Sequence, residues 1–189
     1  MDKNINRCDW ANKDPLLKSY HDQEWGIPIY DDKKLFRMLV LETMQAGLSW
    51  LTILKKIDNF DRAFDSFDPD IIANYDEKKE KELMEDEGII RNSLKIKSVK
   101  KNAIAYQKVV EDFGSFSDYL WGFVDNKPIV NSWESIDQVP SKTDLSQKIS
   151  RDMKKRGFSF VGPTVIYSFI QAVGMVNDHL ISCDFKEVL

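Results

Sequence analysis

Residues 141–173 read SKTDLSQKISRDMKKRGFSFVGPTVIYSFIQAV, and this stretch decides the fold class. Its first part has a helical rhythm. Ser141-x-x-Asp144 resembles an N-cap, a helix is predicted to run to about Arg156, and Gly157 stops it as a C′ glycine does. Its last part opens on Pro163 at a first helical turn and puts Ile166, Phe169, Ile170 and Val173 on one face. Between them lies a tight apolar hairpin, Gly157-Phe158-Ser159-Phe160-Val161-Gly162-Pro163. Its two glycines reach backbone angles closed to other residues. Free N–H groups at the start of the second helix, around Gly162 and Thr164, suit a phosphate. Lys154, Lys155 and Arg156 just upstream add positive charge. A plain helix–helix connection is the competing reading.

The same period recurs upstream. Leu35, Phe36, Leu39, Val40 and Thr43 follow Asp31 or Asp32 as N-cap. Trp50, Ile53, Leu54 and Ile57 resume it after a break at Ala46-Gly47. Leu94–Val110 reads as a long helix with Ile96, Val99, Ala103, Tyr106 and Val110 on one face, and Phe116, Tyr119, Leu120 and Phe123 make another. No alternating strand or repeat stands out, and residues 125–140, with Pro128 and Pro140, read as a loop. The expected class is all-α.

The chain has 189 residues, 42% hydrophobic and 12% aromatic, enough for a sizeable core. No apolar run approaches a membrane span and MDKNINRCDW is no signal peptide, so a cytoplasmic protein is expected. The net charge of −4 speaks mildly against nucleic acid, but the signs are segregated. Acids crowd residues 76–87, whereas Arg91, Lys95, Lys97, Lys100, Lys101 and Lys108 share 91–110 with no acid. Such runs are either solvated helix faces or a basic footprint.

The 2 cysteines and 2 histidines fall in two terminal clusters, Cys8-x12-His21 and His179-x3-Cys183. Four such ligands can close a tetrahedral zinc site, and a full set leaves no open position for chemistry. Incidental thiols and surface histidines are the alternative. Glu42 sits in an apolar stretch, Met38-Leu39-Val40-Leu41. It is either a capped or surface carboxylate or a pocket group aimed at a ligand. Trp10, Tyr20 and Trp25 crowd the N-terminal Cys–His segment, and Trp50 follows Gln45-Ala46-Gly47-Leu48-Ser49. Flat aromatic faces with one carboxylate suit a planar, cationic heteroaromatic ligand. Trp121 and Trp133 read as core.

These motifs, in this order, resemble the 3-methyladenine DNA glycosylase I family over nearly the whole chain. The residues carrying the resemblance are Arg7-Cys8-x-Trp10, Tyr20-His21-Asp22-x-Glu24-Trp25-Gly26, Leu41-Glu42-x-x-Gln45-Ala46-Gly47-Leu48-Ser49-Trp50, Gly88-Ile89-Ile90-Arg91, Gly157-Phe158-x-Phe160-Val161-Gly162 and Tyr167-Ser168-Phe169-x-Gln171-Ala172-x-Gly174-x-Val176-Asn177-Asp178-His179. The resemblance implies a helix-hairpin-helix glycosylase fold with its hairpin at 157–163. It implies one structural zinc on Cys8, His21, His179 and Cys183, joining segments of about 1–30 and 175–189 into a stapled lobe beside a helical region, 31–174. It also implies a base pocket of Tyr20, Glu42 and Trp50 with Trp10 and Trp25 nearby, and a probe of the DNA gap at Gln45, Gly47 and Leu48.

The implied reaction is hydrolytic release of 3-methyladenine from alkylated double-stranded DNA without strand cleavage, by a monomer. Tyr20 and Trp50 are expected to sandwich the base. Asp178 falls near the superfamily's catalytic Asp but beside ligand His179, and reads as an orienting group. Thr43, Met44 and Leu17 depart from the family pattern, the first two with expected effects on DNA contacts, the third removing an aromatic from the pocket rim. A metal-stapled DNA-binding module without catalysis is the competing class, and it has no use for Glu42.

Overall fold

In the computed structural model, which describes residues 5–187, the helical rhythm becomes ten α-helices. They are α1 (Pro15–Gln23), α2 (Asp32–Gln45), α3 (Trp50–Leu54), α4 (Ile57–Ala63), α5 (Pro69–Ala73), α6 (Glu77–Glu85), α7 (Ser93–Phe113), α8 (Phe116–Trp121), α9 (Asp144–Lys155) and α10 (Pro163–Ala172). The starts follow local chemistry. Asp14 accepts from the N–H of Leu16 with Pro15 at the first position of α1. Asp31 caps α2 through the N–H of Lys34 at 2.8 Å. Asp32 instead reaches across the chain, and its carboxylate accepts from the N–H groups of Phe116 and Ser117 at the start of α8.

Two expectations shift. The cap of α9 is Thr143, not Ser141: Thr143 and Ser146 satisfy each other's backbone N–H groups, a reciprocal pairing Ser141 is placed too early to make. The loop at 125–140 contains a strand, β1 (Ile129–Val130), which pairs in parallel with β2 (Val176–Asn177). A two-residue strand has no period to read.

Helix α2 organises the core. Phe36, Val40, Leu41 and Met44 face one buried cluster with Ile53, Phe60, Phe64, Phe67, Leu83 and Val99. Leu35, Met38 and Leu39 face a second with Phe116, Trp121, Phe158, Ile166 and Phe169. Each such side chain contributes roughly 2 kcal/mol by leaving water. Tyr20 and Val176 belong to the second cluster, so both terminal segments pack against α8–α10. The two clusters part at the C-terminal end of α2, and the candidate site opens there.

The segment after α10 approaches Gly26–Pro28 backbone to backbone. A Cβ on Gly174, whose φ is +72°, would lie 2.4 Å from the carbonyl carbon of Ile27 and the nitrogen of Pro28. Gly174→Ala is therefore expected to destabilise the fold by roughly 3 kcal/mol. Gly122→Ala, where a Cβ meets open space, is expected to be neutral; paired urea melts read the difference.

Candidate active site and metal cluster

A cavity of about 220 Å³ is lined by Trp10, Tyr20, Trp25, Glu42, Gln45 and Trp50, six residues that the sequence singles out. Ile136, Val139, Ser168, Gln171 and Asp178 complete the wall. Ser168 and Gln171 lie one helical turn apart on α10, a spacing that could have pointed to a shared face. Ile136 and Val139 come from the segment read as a loop, and nothing local signals their role.

Glu42 is 4% exposed and its carboxylate has no hydrogen-bond partner among the described residues. Burial pushes its pKa up to about 8. Burial, with Glu42 adding, also raises the Tyr20 phenol well above its ordinary value, so Tyr20 stays a donor. The indole N–H of Trp50 is buried without a partner. A donor and an acceptor left unpaired around one cavity await a ligand.

The rings do not form the expected sandwich. Tyr20 and Trp50 have centroids 5.2 Å apart, tilted by 46°. A base between parallel faces needs about 7 Å, two van der Waals contacts of ~3.5 Å. These two rings pack on each other at a tilt, and both border the cavity. Trp10 stands edge-on to Trp25 at 5.1 Å and lies 6.4 Å from Tyr20.

Asp178 is fully engaged. One oxygen accepts from Tyr167 (2.5 Å) and Gln171 (2.6 Å), the other from Asn131 and Trp133 (both 2.7 Å). Four donors on one carboxylate tie the end of β1, the Trp133 segment and α10 together and occupy its acceptor sites.

Beyond Glu42, α2 ends in a turn. The Leu48 N–H donates to the carbonyl of Gln45 at 2.6 Å, and the Gln45 amide donates to the carbonyl of Leu48 at 2.7 Å. Gly47 has φ +81°, which the turn requires, and Leu48 is 37% exposed at its tip. Thr43 and Met44 are fully buried, and Leu17 is buried in α1 away from the cavity. Thr43 and Met44 therefore reach no DNA with their side chains, which corrects that expectation, whereas a Leu17 that lines no part of the cavity agrees with an aromatic missing from the rim.

In the 157–163 hairpin Gly157 takes φ +99°, but Gly162 has an ordinary φ of −62° and a Cβ there meets nothing within 4 Å. Phe160 carries the second left-handed backbone, at φ +57°, and is 37% exposed. The Asn102 amide grips Ser159, accepting from its N–H at 2.8 Å and donating to its carbonyl at 3.2 Å. Gly162 gives α10 no side-chain cap and Thr164 is exposed, so the first N–H groups of α10 face outward. Lys154 and Lys155 are exposed. Arg156 is turned back onto the protein, paired with Asp152 at 2.7 Å and Asp112 at 3.1 Å and lying over Phe113.

Cys8, His21, His179 and Cys183 are all buried, with their donor atoms within 4.8 Å of one another. Cys183 Sγ lies 3.5 Å from both His21 Nε2 and His179 Nδ1, and Cys8 Sγ lies 3.8 Å from His179 Nδ1. Bond lengths of ~2.3 Å to sulfur and ~2.0 Å to nitrogen around a tetrahedral ion put such atoms about 3.5 Å apart. The other ring nitrogens are held from behind, His21 Nδ1 by Asp22 at 2.8 Å and His179 Nε2 by the carbonyl of Trp25 at 3.2 Å. Burial pushes the Cys8 thiol up to about 12 and the His179 imidazole down to about 4. The cluster can hold a metal ion, whose charge would favour the thiolates that burial alone disfavours.

This whole arrangement follows one family. Residues 10–187 match the methyladenine glycosylase family. The chain belongs to it.

The DNA-3-methyladenine glycosylase 1 of Escherichia coli (strain K12) is 45% identical over 179 residues, covering 95% of this chain and 96% of the relative. The Staphylococcus aureus 3-methyladenine DNA glycosylase I, solved to describe 3-methyladenine recognition, matches with a TM-score of 0.93 at 38% identity, over 97% of this chain and 98% of that one. A tyrosine-to-phenylalanine variant of a 3-methyladenine DNA glycosylase I, in complex with 3-methyladenine, gives 0.93 at 37% identity, over 96% and 98%.

Glu42 gives the stability of this chain a pH dependence. Its folded pKa of about 8 lies above its ordinary 4.5, so between those values the folded state binds the extra proton. Unliganded stability is expected to fall as pH rises through that window, by a few kcal/mol in all, roughly 1.4 kcal/mol per unit. Glu42→Gln should flatten the slope. Thermal melts at several pH values check it; parallel slopes for the two proteins would remove Glu42 as the cause.

Proposed function

We propose that this chain excises 3-methyladenine from alkylated double-stranded DNA by hydrolysing its N-glycosidic bond, the first step of base excision repair. The observation that carries the reading is the unpartnered Glu42 carboxylate inside an aromatic cavity. N3-alkylation places a formal positive charge on adenine, and the buried carboxylate is complementary to that charge. Aromatic faces attract the same cation.

The nucleotide is flipped out so that its base reaches the cavity. The wall formed by Tyr20 and Trp50 takes one face of the base, a contact of ~1–3 kcal/mol. Glu42 accepts from the exocyclic amine; guanine offers a carbonyl there and is repelled. Binding the cation draws Glu42 into its ionised form, and a proton leaves to solvent at neutral pH. The C1′–N9 bond then breaks with its electron pair moving to the base, which departs as neutral 3-methyladenine. Water bonds to C1′ and gives up its proton. Glu42 attracts the cation most strongly before the bond breaks, so its main effects are on capture and choice of base. Leu48 fills the gap left in the stack. With no lysine nucleophile indicated, the chain acts as a monofunctional glycosylase.

The hairpin between α9 and α10 is read as a helix-hairpin-helix element whose free N–H groups at Gly162–Thr164 hold a backbone phosphate. Lys154 and Lys155 add long-range attraction, whereas Arg156 chiefly braces the fold. The four-donor cluster is read as a zinc site. Zinc bound there supplies folding free energy and no catalysis, because its four positions are filled. It staples a lobe made by the two terminal segments, which carries Trp10, Tyr20 and Trp25 to the body at 31–174. The reducing cytoplasm, where the DNA lies, keeps the two cysteines available as ligands. One chain contains every group of the pocket, so a monomer suffices.

Base release from methylated duplex DNA tests the reading. Free 3-methyladenine is the expected product, and Glu42→Gln should lower its release about 10–100-fold at low substrate, the worth of a charge-assisted hydrogen bond. Undiminished release by the folded variant would remove Glu42 from base recognition. For the metal, protein purified without added zinc should carry about one equivalent per chain. Cys183→Ser should lose it and melt ~10 °C lower; a metal-free wild type with the same melting point would sink the assignment.

A further inference from the structure

We propose that Lys95 is a positioning residue: from the first turn of α7 it clamps the Gln45–Leu48 turn, so that Leu48 meets the DNA stack at a fixed height. By sequence Lys95 belongs to a run of basic residues that reads as a solvated face. It is instead 6% exposed. Its ammonium donates to the carbonyls of Met44 (2.8 Å) and Ala46 (2.7 Å), the two residues that flank Gln45. No carboxylate pairs with it among the described residues, and burial pulls its pKa below the ordinary lysine value.

A buried ammonium without a counter-charge is costly. The compensating groups here are carbonyls at the C-terminal end of α2, where the helix dipole is negative. Beyond Lys95, the turn is closed by its own bonds between Gln45 and Leu48. A Cβ on Gly47 would meet nothing within 4 Å, so the middle of the turn lacks tertiary packing. The clamp therefore acts where the turn is otherwise unsupported.

Lys95 also links the turn to the hairpin. Asn102, which grips both polar groups of Ser159, lies seven residues along the same helix. Two turns of helix separate the two contacts by ~10 Å. One rigid element thus sets the distance between the segment that enters the stack and the segment that holds the backbone.

The proposal rests on Leu48 acting as a wedge, and the experiment separates the two. Lys95→Met, Lys95→Arg, Leu48→Ala and the Lys95→Met/Leu48→Ala double variant are assayed for 3-methyladenine release from duplex DNA and for binding of free 3-methyladenine. The expected result is release about tenfold slower for Lys95→Met with free-base affinity unchanged, recovery with Lys95→Arg, and little further loss on the Leu48→Ala background. Unchanged release by Lys95→Met overturns the proposal, as does equal loss of release and free-base affinity, which marks a general structural role. So do independent, multiplying losses in the double variant. If Leu48→Ala alone leaves release intact, the wedge reading and the clamp's purpose fall together, while the excision activity stands on the wild-type product.

Discussion

The second half of α2, buried at every residue from Met38 to Met44, has nowhere to put a charge. Phe36, Val40 and Met44 of α2 face one cluster and Leu35 and Leu39 the other, so a carboxylate at Glu42 can sit only where the clusters part. That placement removes most of its water and leaves it without a hydrogen-bond partner among the described residues. The cost of desolvating Glu42 is met by fold stability built elsewhere; under the proposed function it is recovered when a cationic base arrives. The turn that follows α2 inherits its starting point from the same constraint, because it grows from the end of a helix that cannot shift without disturbing two cores.

Chain closure supplies the rest of the cavity. Tyr20 precedes the ligand-type residue His21 on α1, and Trp25 offers its carbonyl to His179. The side chains that hold the ends of the chain together are thus neighbours, along the backbone, of those that line the pocket. Asp178, one residue from His179, draws Asn131, Trp133, Tyr167 and Gln171 onto one carboxylate. The Cys–His cluster and the pocket share a wall.

Rarity made much of this legible. Two cysteines and two histidines in a 189-residue chain, and one acid in an apolar helix, stand out by composition. Their reading needs little knowledge of packing, and the five residues chosen for the pocket do line one cavity, joined there by Gln45, which was read as part of the DNA probe. What escaped was set by tertiary context. Lys95 looks like its exposed neighbours until α2 is docked against it. Ile136 and Val139 reach the cavity only because β1 fastens their segment to β2. Met44 is covered although it lies outside the apolar face read from the period, because the helical period does not say that both faces of α2 are covered. Gly162 suggested an unusual backbone, whereas Phe160 carries it.

The four hydrogen bonds on Asp178 carry a consequence for fidelity. A carboxylate so fully occupied gives a water molecule little help, and the proposed function commits Glu42 to the base. The pocket therefore depends on a leaving group already weakened by its own charge. Ordinary adenines, which vastly outnumber lesions in any genome, are spared by their chemistry even if one is briefly turned out of the helix. Safety against self-inflicted damage comes from the catalytic help that the fold withholds.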